Sequence, residues 1–146
     1  MNGLRGAGRR GSVSVEVAIL APAFLLLIVL GIAHGRVAIA ANAIDVAAHD
    51  AARAASISRT GAAAEANARA AAGEALQRQG LACVEAPRID PDVSGFARGG
   101  LRLDFVSVTV TCEVSFLDLK FLPFIPDSQV LSSTSVSPID IFRERR

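Results

Sequence analysis

The sequence is poor in the side chains that most chemistry needs. Its 146 residues hold two histidines, His34 and His49, two cysteines, Cys83 and Cys112, one lysine, Lys120, and no tryptophan or tyrosine. Neither histidine belongs to a local arrangement of cysteine, histidine and acid residues with the spacing of a metal site, and no glycine-rich phosphate loop or nucleophile elbow occurs. The sequence therefore predicts no enzyme, no metal, no cofactor and no small-molecule substrate. Net charge is +1 and the arginines are scattered, so the basic stripe with which proteins neutralise phosphates is missing and nucleic acid is excluded as a partner. A chain of this length accommodates one small domain and an anchor.

What is abundant is apolar sequence, about half of all residues. Val13 to Ala33 has Glu16 as its only charged residue, and at about 1.5 Å per residue this stretch is about 31 Å long, the thickness of a bilayer's hydrocarbon core. "FLLLIVLGI" is apolar on every face, which suits lipid and not the surface of a small domain. Ahead of it, "MNGLRGAGRRG" carries Arg5, Arg9 and Arg10 and no acid, which places the N-terminus in the cytoplasm and the rest of the chain outside. A secretory signal peptide cut after Ala40, in "AIA", is the competing reading. Against it, the run exceeds a signal peptide's apolar region, and the helical pattern continues through the cut in "RVAIAANAIDVAAHDAARAAS".

The residues "RRGSVSVEVAILAPAFLLLIVLG" combine a basic leader, Gly11, Ser12, Glu16 at the fifth place after the glycine, Ala18, Pro22 and a leucine-rich span. This pattern resembles the class III signal of type IV prepilins, and within them the TadE-like family of minor pilins or pseudopilins of the tight-adherence (Flp) pilus. The resemblance implies cleavage between Gly11 and Ser12 by a prepilin peptidase, and as further partners membrane lipid, other pilin or pseudopilin subunits and the tight-adherence assembly machinery. It implies a single-pass cytoplasmic-membrane protein that reaches the cell surface or pilus after processing, acting in assembly, adhesion or secretion. The alternatives are a permanently anchored extracytoplasmic binding domain, with Gly11 and Glu16 coincidental, and the secreted protein.

The role of Glu16 follows from its position. Three residues inside the span, its carboxylate reaches the headgroups at modest cost. After a cut at Gly11, Ser12 exposes a new cationic α-amino group, which a neighbouring subunit's Glu16 attracts in a low-dielectric filament core. The bland reading is an interfacial acid favoured by the helix dipole. Pro22 removes one helical hydrogen bond and is expected to kink the span.

Beyond the span, helix persists to about Ser58. Asp45 and His49 stand at i,i+4, and Ile44, Ala48, Ala51 and Ala55 form a small-residue stripe suited to close helix contact, in principle between subunits. "AAAEANARAAAGEALQRQG" predicts a second helix with Glu65/Arg69 and Glu74/Arg78 pairs, ended by Gly80. "VSVTVTCEVSF" then alternates, with Val106, Val108, Val110, Cys112, Val114 and Phe116 on one side. "LRLDF" alternates in the opposite phase, which predicts a bulge or turn at Phe105/Val106. "CVEAPRID" and "QVLSSTSVS" are weaker strands, and "FLDLKFLPFIP", Phe116 to Pro126, is expected to pack over the sheet. Folding Cys83 to Asp90 back on 103–112 brings Cys83 beside Cys112, and an oxidising exterior favours a disulfide over two buried thiols.

The expected fold is α+β: a long N-terminal transmembrane helix continuing into an extracytoplasmic helix, a second helix, then a small antiparallel sheet. Its segments are a basic leader, 1–11; a transmembrane and assembly helix, 12–34; an extracytoplasmic helical region, 35–80; and a β-rich region, 81–146.

Overall fold

The computed structural model describes residues 10–97, 104–115 and 126–139, with side chains from Val15 onward. Helix α1 runs Arg10–Ser56 and helix α2 Gly61–Arg78, followed by strands β1 (Arg88–Asp92), β2 (Phe105–Ser115) and β3 (Ser128–Pro138). This is the expected order of elements: a long apolar helix, a second helix and a small open antiparallel sheet. The chain divides into two compact units, Met1–Val37 and Ala38–Arg146.

In the first unit α1 is apolar and uncovered. Val17, Ile19, Phe24, Leu25, Leu27 and Ile28 are all exposed, an arrangement stable only where the surrounding medium is itself apolar. The helix is long and apolar enough to cross a membrane once. Pro22 lies inside it, where its missing N–H leaves the Ala18 carbonyl without the usual i−4 donor.

In the second unit the sequence's alanines become the core. Ala47, Ala48, Ala51, Ala52 and Ala55 of α1 and Ala64, Ala68, Ala72 and Ala75 of α2 are buried with Ile44 and Leu76. The stripe Ile44, Ala48, Ala51, Ala55 thus serves the chain's own core, and it is not a free surface for another subunit. Alanine at these positions lets two helices pack closely at no side-chain entropy cost. Across this antiparallel hairpin Arg78 Nη2 donates to Asp50 Oδ2 at 2.8 Å, and Asn67 Nδ2 to Ser58 Oγ at 2.9 Å.

Local signals close both ends of α2. The Thr60 hydroxyl caps its start by accepting from the Ala63 N–H. At its end Gly80 takes φ +65°. Gly80 N–H then bonds the Gln77 carbonyl and Leu81 N–H the Leu76 carbonyl, at 3.0 and 3.1 Å, a Schellman motif. The two expected i,i+4 pairs form loosely, Arg69 to Glu65 at 3.8 Å and Arg78 to Glu74 at 3.9 Å.

The sheet order is β1-β2-β3, both pairings antiparallel. On β2, Val106, Val108, Val110 and Cys112 point into the core as the alternation predicts, with Val114 partly buried. The expected bulge at Phe105/Val106 does not occur: Phe105 pairs with Pro138 and Val106 with Ser137 in unbroken register. Phe105 simply occupies the outer face. The first strand is also displaced from expectation, since Cys83 to Pro87 lie outside it and only Arg88–Asp92 pairs regularly. The segment before it is tied down instead by the Val84 N–H, which bonds the Glu113 carbonyl at 2.8 Å, and by the disulfide. Residues 116–125, all but the last of the segment expected to pack over the sheet, lie outside the described residues.

Candidate functional site

The residues singled out by the N-terminal pattern fall in the first turns of α1. The described part of α1 starts at Arg10, and the Gly11–Ser12 bond follows directly. Glu16 follows one turn later with its side chain exposed. Pro22 is well inside the helix, so the structure gathers Gly11, Ser12 and Glu16 together and leaves Pro22 apart.

Cys83 and Cys112 are joined, as the fold-back of the chain predicts. Their Cα atoms are 5.5 Å apart across a sequence separation of 29. The bond links the loop after α2 to the central strand.

One cluster was only half visible in the sequence. Asp45 and His49 do not pair with each other as their spacing suggests; each reaches β3. Ser133 Oγ donates to Asp45 Oδ1 at 2.8 Å, and Ser135 Oγ shares a 2.6 Å hydrogen bond with His49 Nδ1. Polar residues on an otherwise alanine-lined helix face were the available signal. The serines themselves gave none, because the contacts span 88 and 86 residues. His34 Nδ1 lies 3.2 Å from the Leu30 carbonyl one turn earlier, a local contact within the helix and not a ligand position.

Among the described residues no three His, Cys, Asp or Glu side chains are grouped to hold a metal ion. The His49–Ser135 pair bridges α1 and β3.

No curated protein and no solved structure matches the chain. Residues 11–53 match the family model of TadE-like protein, and that segment coincides with the helix carrying Gly11, Ser12, Glu16 and Pro22. Over residues 11–53 the chain is therefore similar to TadE-like protein.

Proposed function

We propose that the chain is the precursor of a minor pilin or pseudopilin of a tight-adherence, type IV-like pilus. It inserts with its N-terminus in the cytoplasm and is hydrolysed by prepilin peptidase between Gly11 and Ser12. It then joins other pilin or pseudopilin subunits through the apolar helix, with the 35–80 helical and 81–146 β-rich regions outside the membrane, in assembly, adhesion or secretion. The observation that carries this reading is the coincidence of the family match with an uncovered apolar helix whose first turns hold Gly11, Ser12 and an exposed Glu16. The positive-inside bias of Arg5, Arg9 and Arg10 supports the orientation.

The amine freed at Ser12 and the Glu16 of a neighbouring subunit then form a charge pair that sets the stagger between helices, strengthened by the low dielectric around them. A signal-peptidase cut after Ala40 is disfavoured by position. Ala40 and Ala43 are buried, and the cut would sever α1 just ahead of its core-forming face.

The mature N-terminus tests the proposal. Mass spectrometry of the protein recovered from its native host is expected to find a chain starting at Ser12. Intact Met1 overturns it in favour of a permanent anchor, and a start at Ala41 in favour of a secreted protein.

A further inference from the structure

The second unit has one end toward the apolar run of α1. Helix α1 and strand β3 lie side by side and run in the same direction, because Asp45 meets Ser133 and His49 meets Ser135. Tracing both elements back from these contacts leads toward the apolar run. Six residues back along α1 is Ile39, about 9 Å from Asp45. Three residues back along β3 is Val130, about 10 Å from Ser133. Val84 joins them at this level, since its N–H bonds the carbonyl of Glu113, the residue that pairs with Val130.

All three side chains are uncovered: Ile39 is 72%, Val130 64% and Val84 55% exposed. They do not share one flank. Ile39 is about 120° around the helix from Asp45, the residue that meets β3, and Val130 is on the outer face of the sheet. A partner docking on one flank would leave one of these two in water, whereas a medium that surrounds this end covers both. The strands continue past this level to their last pair, Ser115 with Ser128, about 7 Å nearer the apolar run. The sequence that joins this pair, FLDLKFLPFIPD, has seven Phe, Leu or Ile among its twelve residues. An apolar connection therefore leaves and re-enters the sheet at this end.

We propose that this end of the second unit is a membrane-contact surface, and that what covers it is the headgroup layer of the bilayer that α1 spans. The distances along the chain fit that depth. Ile39 follows Ala33, the last residue of the apolar run, by six residues, about 9 Å of helix. The Ser115–Ser128 pair, about 7 Å closer, falls within a headgroup layer about 5–7 Å deep, and Ile39, Val84 and Val130 fall at its outer margin. Glu85 and Asp127 are exposed beside this surface. Their carboxylates hold it at the headgroups, short of the hydrocarbon, and offer nothing to anionic lipid. The contact is an apolar one that zwitterionic lipid satisfies. It rests on α1 as a span and not on a cut after Gly11, so the mature N-terminus and the test below fail independently.

The test uses the full-length chain in phosphatidylcholine vesicles. The chain has no tryptophan or tyrosine, so one introduced tryptophan reports one site. Val84→Trp and Val130→Trp, each at an exposed position, are expected to lose emission when the lipid carries a nitroxide on its headgroup, and to be shielded from acrylamide in the water. Tryptophan itself favours the interface. Val136→Trp is therefore the control: it is equally exposed, on the same face of β3 but about 20 Å further from the membrane, and is expected to be unquenched by the lipid and open to acrylamide. Phe24→Trp, quenched by a nitroxide on the acyl chain, verifies the span. Circular dichroism and the intact Cys83–Cys112 bond confirm folding of each variant. Val84→Trp or Val130→Trp open to acrylamide overturns the proposal, because this end then stands clear of the lipid. Shielding without quenching overturns it in favour of a contact between copies. An unquenched Phe24→Trp removes the span and the proposal with it.

Discussion

Glu16 is the residue on which the assembly reading turns. It is exposed one helical turn after the Gly11–Ser12 bond, so the amine that the proposed cleavage would release and the carboxylate lie on one side of α1 about 6 Å apart along its axis. That offset leaves the carboxylate available to a subunit shifted along the helix direction. Glu16→Ala removes a charge from the span and is expected to leave insertion intact, or to favour it. Incorporation is expected to fail, because a buried amine then lacks its partner, at a cost of about 3–5 kcal/mol. Comparing membrane and sheared-surface fractions in a strain without the wild-type copy measures this, and wild-type surface levels reduce Glu16 to a tolerated helix-end acid. Gly11→Leu in the same strain is expected to accumulate uncleaved precursor in the membrane. The reading of these residues rests on a local signal: a glycine, a carboxylate five places on and a basic leader. Gly95 shows the opposite. A Cβ on it would lie 2.6 Å from the Phe105 carbonyl oxygen and 2.9 Å from Ile139 Cδ1, neighbours from other parts of the chain that no sequence window contains. Because the closest atom is backbone, Gly95→Ala is expected to destabilise the second unit by about 1–3 kcal/mol, read as a lower urea midpoint.

At the scale of elements, legibility followed how unevenly apolar and polar residues are divided between faces. β2 puts four valines and a cysteine on one face and, Phe105 apart, serine, threonine and glutamate on the other, so its buried side could be named in advance. β3 does not separate them: the valines go out, and serines go in with Leu131. What fixes its orientation is the pair of side chains that α1 presents, Asp45 and His49, which satisfy Ser133 and the buried Ser135. The seam between α1 and β3 is therefore hydrogen-bonded where the seam at β2 is dry. A double-mutant cycle on His49→Ala and Ser135→Ala is expected to show a coupling of about 0.5–1.5 kcal/mol, and additive effects would mean that the hydrogen bond contributes nothing. The helical stripe was legible as a stripe, but not its occupant. Alanine permits close approach to any helix, and only the turn at Ile57 to Thr60, which returns α2 against α1, decides that the partner is in the same chain.

The whole molecule combines two units stabilised by different surroundings. The first needs only lipid around an apolar helix, whereas the second must hold itself together with a core in which alanine supplies most of the helical side. Alanine buries little area, so such a core stabilises weakly for its length, and a covalent link is correspondingly important. The Cys83–Cys112 bond closes a loop with a sequence separation of 29, which on the chain-entropy account is worth about 3.6 kcal/mol. The loop it closes contains all of β1 and the turn that carries Gly95, so reduction frees that whole segment in the unfolded chain. The Cys83→Ala, Cys112→Ala double variant is expected to insert into membranes like the wild type and to lose about 3 kcal/mol in the unfolding of the second unit. With no tryptophan or tyrosine to report by fluorescence, pulse proteolysis across a urea series is the suitable readout, since it follows the folded fraction directly. Wild-type protein treated with reductant is expected to match the double variant to within the small cost of placing alanine at the nearly buried Cys112 site. A reduced wild type that unfolds at the same urea concentration as the oxidised one would show that packing of α1 and α2 on the sheet, and not the cross-link, holds the second unit together.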